Sequence, residues 1–268
     1  MRIRLGVILV CAGVFVCPAY AQPDATPIPK VSDEWRFELT PYLWAPAIAS
    51  TLSYNDKYIK SVDQNASDVL HNLKSGAMIS GEVHYGNWGI LGDVVSATLQ
   101  KTGAIPVTPQ PGVQIRLADK STVQNTIVTT AVTYTVIKND NAYVDALVGG
   151  RWIGTTSTIN LTLTSSTTFS DSKAMSTADP IIGFKGRYRI ADSTWYVPFY
   201  ADIGSGGGPT NVTWQAMLGI GVTIEKWVDV ALVYRGLFYD MDSSKTNGQG
   251  LLQKTTFQGP QLSATFKF

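Results

Sequence analysis

The sequence predicts an all-β fold: a closed antiparallel up-and-down transmembrane β-barrel of about ten strands, within a range of roughly eight to twelve. One short helix near 67–73 is expected beside it. Three observations carry this expectation. The chain closes on Leu262-Ser263-Ala264-Thr265-Phe266-Lys267-Phe268, strict apolar/polar alternation running into an aromatic. Alternation at period 2 gives a strand with one apolar and one polar face. An edge strand of a soluble sheet would alternate too, so the other two observations decide. The N-terminus has the form of an export signal, and the connectors between strands alternate in length.

Arg2 and Arg4 precede an apolar run from Leu5 to Val16, and Ala19-Tyr20-Ala21 is a small-x-small cleavage site. These features predict a signal peptide over 1–21 and a mature chain starting at Gln22. The run is too short to span a bilayer as a helix, and no later stretch approaches ~18 unbroken apolar residues, so insertion has to use strands. Both cysteines, Cys11 and Cys17, lie in the signal, so disulfides are not expected to contribute. Each follows a valine rather than a small residue, which argues against a lipid anchor.

Residues 22–34 form a polar, proline-bearing lead expected in the periplasm, and 35–268 the barrel domain. Strands are expected near 35–48, 76–85, 88–100, 122–137, 142–156, 180–190, 194–203, 212–225, 227–239 and 254–268. Most reach the ~9–11 residues of a tilted span. Short connectors fall at Gly86-Asn87, 138–141, 191–193 and Glu225-Lys226. Longer ones fall at 49–75, 101–121, 157–179, 204–211 and 240–253. Short periplasmic turns alternating with long outer loops are the asymmetry of outer-membrane barrels, and they leave both termini on the periplasmic side. Within 49–75, Thr51–Tyr54 and Tyr58–Val62 flank Asn55-Asp56-Lys57 as a further hairpin that would raise the count to twelve. Ser67 is placed to cap a helix whose stripe is Val69, Leu70 and Leu73.

Composition excludes some partners. The chain has 21 Lys+Arg against 20 Asp+Glu. Without Arg2 and Arg4 the balance is 19 against 20, a net −1. No basic excess exists to hold a polyphosphate backbone, so nucleic acid is not expected as a partner. The expected partners are outer-membrane lipid and, through the last strand, the outer-membrane insertion machinery; small solutes remain open.

Each strand can be phased with its apolar residues outward. The outward set includes Phe184, Leu218, Leu232 and Phe266. The same phasing sends Glu38, Glu82, Asp93, Asp145, Asp202 and Asp229 inward with Arg36, Arg151, Lys185, Arg187, Arg189, Arg235 and Lys267. A basic residue facing mid-depth lipid costs ~2–4 kcal/mol, so this segregation is meaningful. Unpaired charges in a narrow lumen are expensive, which predicts a cross-lumen ion-pair network. Its simplest role is to fill the lumen; the alternative is a conducting path, in which Lys185, Arg187 and Arg189 would favour anions. Trp35, Trp88, Trp195, Trp227 and Phe268 lie near strand ends, as interfacial girdle residues do.

Several stretches resemble a small Gram-negative outer-membrane β-barrel of a porin-like family without an assigned reaction. They are 35–46 (WRFELTPYLWAP), 68–73 (DVLHNL), 86–89 (GNWG), 183–189 (GFKGRYR), 213–216 (TWQA) and the aromatic end. The resemblance implies the bacterial outer membrane as location, and the chain's end is similar to the signal read by the insertion machinery. It transfers no ligand and no catalytic residue.

Catalysis has a thinner basis. His84 shares a strand face with Glu82 and Ser80, so a histidine oriented by a carboxylate could serve Ser80 or Ser96. Positions i and i+2 share a face by periodicity alone, however, and His84 belongs near the periplasmic turn. His71 and His84 without cysteine make a poor metal site. Residues 204–208 are glycine-rich but lack a following Lys-Ser pair. The Thr/Ser-rich 155–172 reads as a solvated outer loop that could carry an adhesion contact. The expectation is a barrel without catalytic activity, cofactor or metal, serving as a structural element or narrow channel for small solutes. The alternatives are a binding or adhesion barrel acting through its loops and, with less support, a lipid- or peptide-modifying enzyme.

Overall fold

A computed structural model describes residues 25–54, 57–110, 113–164, 167–206, 208–242 and 251–268. The signal stretch, its cleavage site and both cysteines lie outside the described residues.

Among the described residues, twelve strands form one antiparallel sheet. They are β1 Trp35–Trp44, β2 Ala47–Tyr54, β3 Lys57–Gln64, β4 Leu73–Tyr85, β5 Trp88–Gln110, β6 Val113–Lys138, β7 Ala142–Thr164, β8 Thr167–Arg189, β9 Trp195–Gly204, β10 Thr210–Glu225, β11 Val228–Asp242 and β12 Leu251–Lys267. The one helix among the described residues, α1 (Ala66–His71), lies between β3 and β4. Pairing of β1 with both β4 and β12 closes a ten-strand barrel, and β2–β3 is an added hairpin whose β2 pairs with the outer end of β12.

The register climbs as it circles the wall. Residues directly opposed in successive ladders lead from Trp35 through Tyr85, Tyr134, Phe184 and Gly236 to Ala47, an offset of twelve residues along the first strand's line. For ten strands this stagger gives a tilt of about 40° and a backbone radius of about 10 Å. Side chains fill a lumen of that width.

The outside is apolar. Leu43, Ile90, Val148, Ile182, Phe184, Leu218 and Leu232 stand exposed on the wall. Glu38, Asp93, Asp145, Arg151, Asp202, Asp229 and Arg235 are buried within it. Trp35, Trp88, Trp195, Trp227 and Phe268 are all exposed and all at the turn end that carries the termini. They form one girdle rather than two. Trp35 packs on Tyr85 at 5.2 Å and Trp88 on Tyr134 at 4.9 Å between centroids. At the opposite border, Trp214 stacks on Phe238, with exposed Trp152 nearby in depth on β7. Along each strand the interval suits the ~25 Å apolar band of an outer-membrane barrel.

Three expectations need correction. The described residues of 101–121 and 157–179 are strand rather than loop: the β5–β6 and β7–β8 ladders run to Gln110↔Val113 and Thr164↔Thr167. Three prolines and two glycines within 101–121, and the Thr/Ser content of 157–179, obscured the signal. The first segment does not run unbroken to Ile48; β1 ends at Trp44, and Ala45-Pro46 separates it from β2. The helix starts at Ala66, and its cap is Asn65, whose side chain accepts a hydrogen bond from the Asp68 N–H at 2.8 Å, not Ser67.

The lead also departs from a simple periplasmic segment. Pro27 and Ile28 are buried. The Arg187 guanidinium donates to the Pro27 carbonyl at 3.2 Å, and Arg36 donates to the Lys30 carbonyl at 3.1 Å. Residues 25–30 therefore lie across the mouth at the end that carries the termini.

Candidate functional site: a divided lumen

The lumen has two compartments. The lower one, nearer the termini, is built from inward positions of β1, β4, β7, β8, β11 and β12. Arg187 donates to Asp229 at 2.8 Å and lies 3.4 Å from Glu38. Glu38 also approaches Arg36 at 3.5 Å, and Asp229 receives Lys267 at 2.8 Å. The Arg187 guanidinium lies 4.9 Å from the Tyr196 ring centroid. Arg189 does something else: its Nε donates to the Ser193 carbonyl at 2.8 Å and ties the β8–β9 turn.

One step deeper, Lys185 is hydrogen-bonded to Glu82 and lies 3.5 Å from Asp145. His84 Nε2 lies 3.1 Å from Glu82, and its Nδ1 lies 3.4 Å from the Tyr143 hydroxyl. Gly89 makes room for this ring, because a Cβ there would come within 2.5 Å of it. Glu82, His84 and Asp145 hold their donor atoms within 4.8 Å of one another. They are a poor metal centre, since the Lys185 ammonium already supplies the cation to both carboxylates.

Two arginines make the partition at mid-height. Arg235, 1% exposed, donates to Asp93 at 2.7 Å, Gln215 at 2.8 Å, Tyr42 at 2.9 Å and Gln261 at 3.2 Å. Tyr42 in turn donates to Asp93 at 2.6 Å. Arg151, fully buried, pairs with Asp202 and donates to Thr129 and Thr213, both at 3.3 Å. Asp202 also accepts from Tyr200 at 2.5 Å. Charges removed from water survive only when countercharges and hydrogen bonds surround them, as they do here. The space left below the partition is about 160 Å³.

Above it the interior changes character. The indole of Trp44 lies 4.8 Å from the Arg235 guanidinium and covers it. Trp44, Val95, Ile127, Ile153, Leu237, Tyr239 and Phe257 form a buried apolar cluster, with Ile48 and Met78 packed against it. Trp44, Ile48, Met78, Val95, Ile127, Tyr239 and Phe257 of this group border an outer cavity of about 400 Å³, whose remaining wall includes Val69, Leu70 and Leu73 from the α1 segment. Asn125 also lines this cavity, and its buried Oδ1 has no partner among the described residues. The two cavities share no lining residue.

The phase assignment put thirteen charged residues in the lumen and expected polarity throughout. Val95, Ile127, Ile153, Leu237 and Phe257 occupy inward positions and are apolar. That break in the pattern was the available signal for the outer cavity. Asp179, also buried inward, was missed; it accepts from Thr210 at 2.8 Å. The catalytic alternative loses its second nucleophile: Ser96 lies on the opposite face of β5 from buried Asp93 and Val95 and bonds Thr126 at 3.2 Å. His71 is exposed on α1, at the other end of the barrel from His84.

No protein-family model matches the chain, and no curated protein does. Among solved structures it is similar to the outer membrane protease OmpT from Escherichia coli, with a TM-score of 0.56 at 9% identity, over 90% of this chain and 99% of that one. The translocator domain of the autotransporter NalP from Neisseria meningitidis has a TM-score of 0.40 at 8% identity, over 88% of this chain and 89% of that one. The attachment invasion locus protein Ail of Yersinia pestis has a TM-score of 0.34 at 10% identity, over 88% and 100%. The OmpT likeness shows a shared barrel fold and carries no chemistry. The apolar exterior, the girdle and the enclosed charges define the class: an integral β-barrel of the Gram-negative outer membrane.

Proposed function

We propose that this barrel is a solute-binding protein, without catalytic activity, that takes a small, mainly apolar molecule into its outer half. The observation that carries this reading is the 400 Å³ cavity walled by Trp44, Ile48, Met78, Val95, Ile127 and Phe257, with the ion-paired partition on the far side of Trp44. Such a volume and apolar lining suit a small ligand, and a few polar groups orient it. Asn125 Oδ1 offers an acceptor to a ligand N–H or O–H. The partition argues against free ionic flow, so the narrow-channel role becomes secondary. The C-terminal strand, ending Phe266-Lys267-Phe268, is the segment we assign to the insertion machinery.

Titration with N-phenyl-1-naphthylamine, an uncharged diaryl amine, tests the reading. Saturable fluorescence enhancement is expected, together with no ion steps in planar bilayers. Met78→Glu places a carboxylate in the apolar wall and is expected to weaken binding at least about tenfold. Non-saturable partitioning that ignores this change would end the proposal.

A second reading has its own observation. The β5–β6 and β7–β8 hairpins stay paired with each other up to Ala118↔Thr162. Strand β7 runs twelve residues past Trp152, about 30 Å at this tilt. Such a projecting four-strand ribbon suits adhesion. Removing 103–118 and 158–171 would abolish attachment to a host surface and leave probe binding unchanged if both roles exist.

A further inference from the structure

We propose that the outer cavity opens sideways, through a portal between the β1–β2 line and the outer end of β4, and exchanges its ligand with the outer leaflet. This rests on the binding role assigned above to the cavity.

The wall is incomplete there. The β1–β4 ladder ends at Pro41↔Ile79. Beyond that pair β1 and β2 follow β12, whereas β4 continues to Leu73 with β5 as its ladder partner. Among the described residues, no ladder joins β3 to β4. The Trp44 N–H donates to the Met78 sulfur at 3.2 Å instead of to a strand carbonyl. Ser75, Gly76 and Ala77 are exposed along the free edge of β4.

The opening lies at lipid depth. Leu43, 76% exposed on the outer face, lies past the last ladder pair, so the apolar exterior extends beyond the point where the wall parts. Open sheet edges do not face hydrocarbon unless they border a cavity. This edge does: Met78, Leu70 and Leu73 line the cavity, and the two leucines are also exposed.

Helix α1 roofs the gap and is fixed in place. It packs against β2 and β3, and beyond its end the Asn72 carbonyl accepts from the Gln100 N–H of β5 at 2.8 Å. The portal beneath it is therefore preformed. Below, the Arg235 partition blocks the axial route. A ligand entering from outside has one remaining apolar surface to follow, and that surface runs past Met78 and Leu73 to lipid.

The predicted mature chain has no cysteine, so a selective tether is available. In Ala45→Cys/Ala77→Cys a short bismaleimide can bridge the two lips without replacing a cavity-lining residue. Release of N-phenyl-1-naphthylamine into vesicles with nitroxide-labelled acyl chains is expected to slow at least about tenfold, with affinity within about threefold. Unchanged release from protein shown by mass spectrometry to be bridged would overturn the portal. A second measurement does not depend on binding. Val95→Cys, inside the cavity, is expected to react with a maleimide carried on a lipid acyl chain. Reaction with a water-soluble maleimide but never with the lipid-borne one would also overturn it. Absence of probe binding to the unmodified protein would instead sink the binding role, leaving the Val95→Cys result to judge the portal.

Discussion

The two halves of this lumen solve the same packing problem with opposite chemistry. Both lie inside a wall of the same radius, and both must be filled or lined by inward side chains. The lower half fills its space with ion pairs and leaves about 160 Å³. The outer half is lined by apolar side chains and leaves about 400 Å³. The difference follows from how each kind of group tolerates emptiness. A buried charge without its partners is very costly, so charged residues draw together and close gaps. An apolar wall loses only dispersion contacts beside a void, so it can stay open for a ligand. The boundary is Trp44, whose one face covers Arg235 while the residue also borders the outer cavity.

The largest expected effect comes from breaking the partition on one side only. Arg235→Leu leaves Asp93 buried without its countercharge and should cost about 3–5 kcal/mol. Urea unfolding of detergent-solubilised protein, followed by gel mobility, reads this directly. Replacing Asp93 and Arg235 together by leucine should restore most of the loss. Cutting Tyr42, Asp93 and Arg235 all to alanine should instead produce ion steps in planar bilayers. A silent triple variant would show that the Arg235 half of the partition is not what closes the axis.

The outer half should respond in a different currency. Leu237, fully buried in the apolar cluster, contributes by packing alone. Leu237→Ala should cost about 2–4 kcal/mol and leave the bilayer silent. Smaller again is the strap at the mouth. Ile28→Ala removes a buried side chain from a segment that can settle into the space, so about 1–2 kcal/mol is expected. A loss as large as that of Leu237→Ala would mean that the strap is part of the core.

How much of this was readable in advance differs between the halves. Every charge of the lower network was placed inward by period-2 phasing, because lipid enforces that pattern on each strand separately. The partners were not readable. Arg235 and Asp93 lie 142 residues apart and meet across the lumen, and Arg151 meets Asp202 from 51 residues away. Phase fixes the face, whereas cross-lumen contact depends on stagger, which is set by the summed register of all ten ladders. The outer cavity left only its apolar inward residues as a trace. The side opening left less still, since a ladder ending at Pro41 looks in sequence like any strand with a proline at its edge. That the lead straps the mouth was not readable, because prolines and polar residues suit both a linker and a strap.

The smallest effect separates burial from pairing within one hairpin. Strands β11 and β12 carry two Lys–Asp pairs. Lys267 lies 2.8 Å from Asp229, with side chains 17% and 1% exposed. Lys254 lies 3.6 Å from Asp240, with side chains 60% and 15% exposed. Residue types and strands are the same, so distance and solvent access are the main variables. Water screens the outer pair, and holding the long lysine side chain in one geometry offsets what attraction remains. Lys254→Gln should therefore change stability by less than about 0.5 kcal/mol, and added salt should not alter that. Lys267→Gln takes a cation from Asp229, which keeps Arg187, so its cost should fall between this value and that of Arg235→Leu. Equal effects at the two lysines would mean that water reaches the lower lumen freely, and the contrast between the halves would then be one of composition without a difference in dielectric environment.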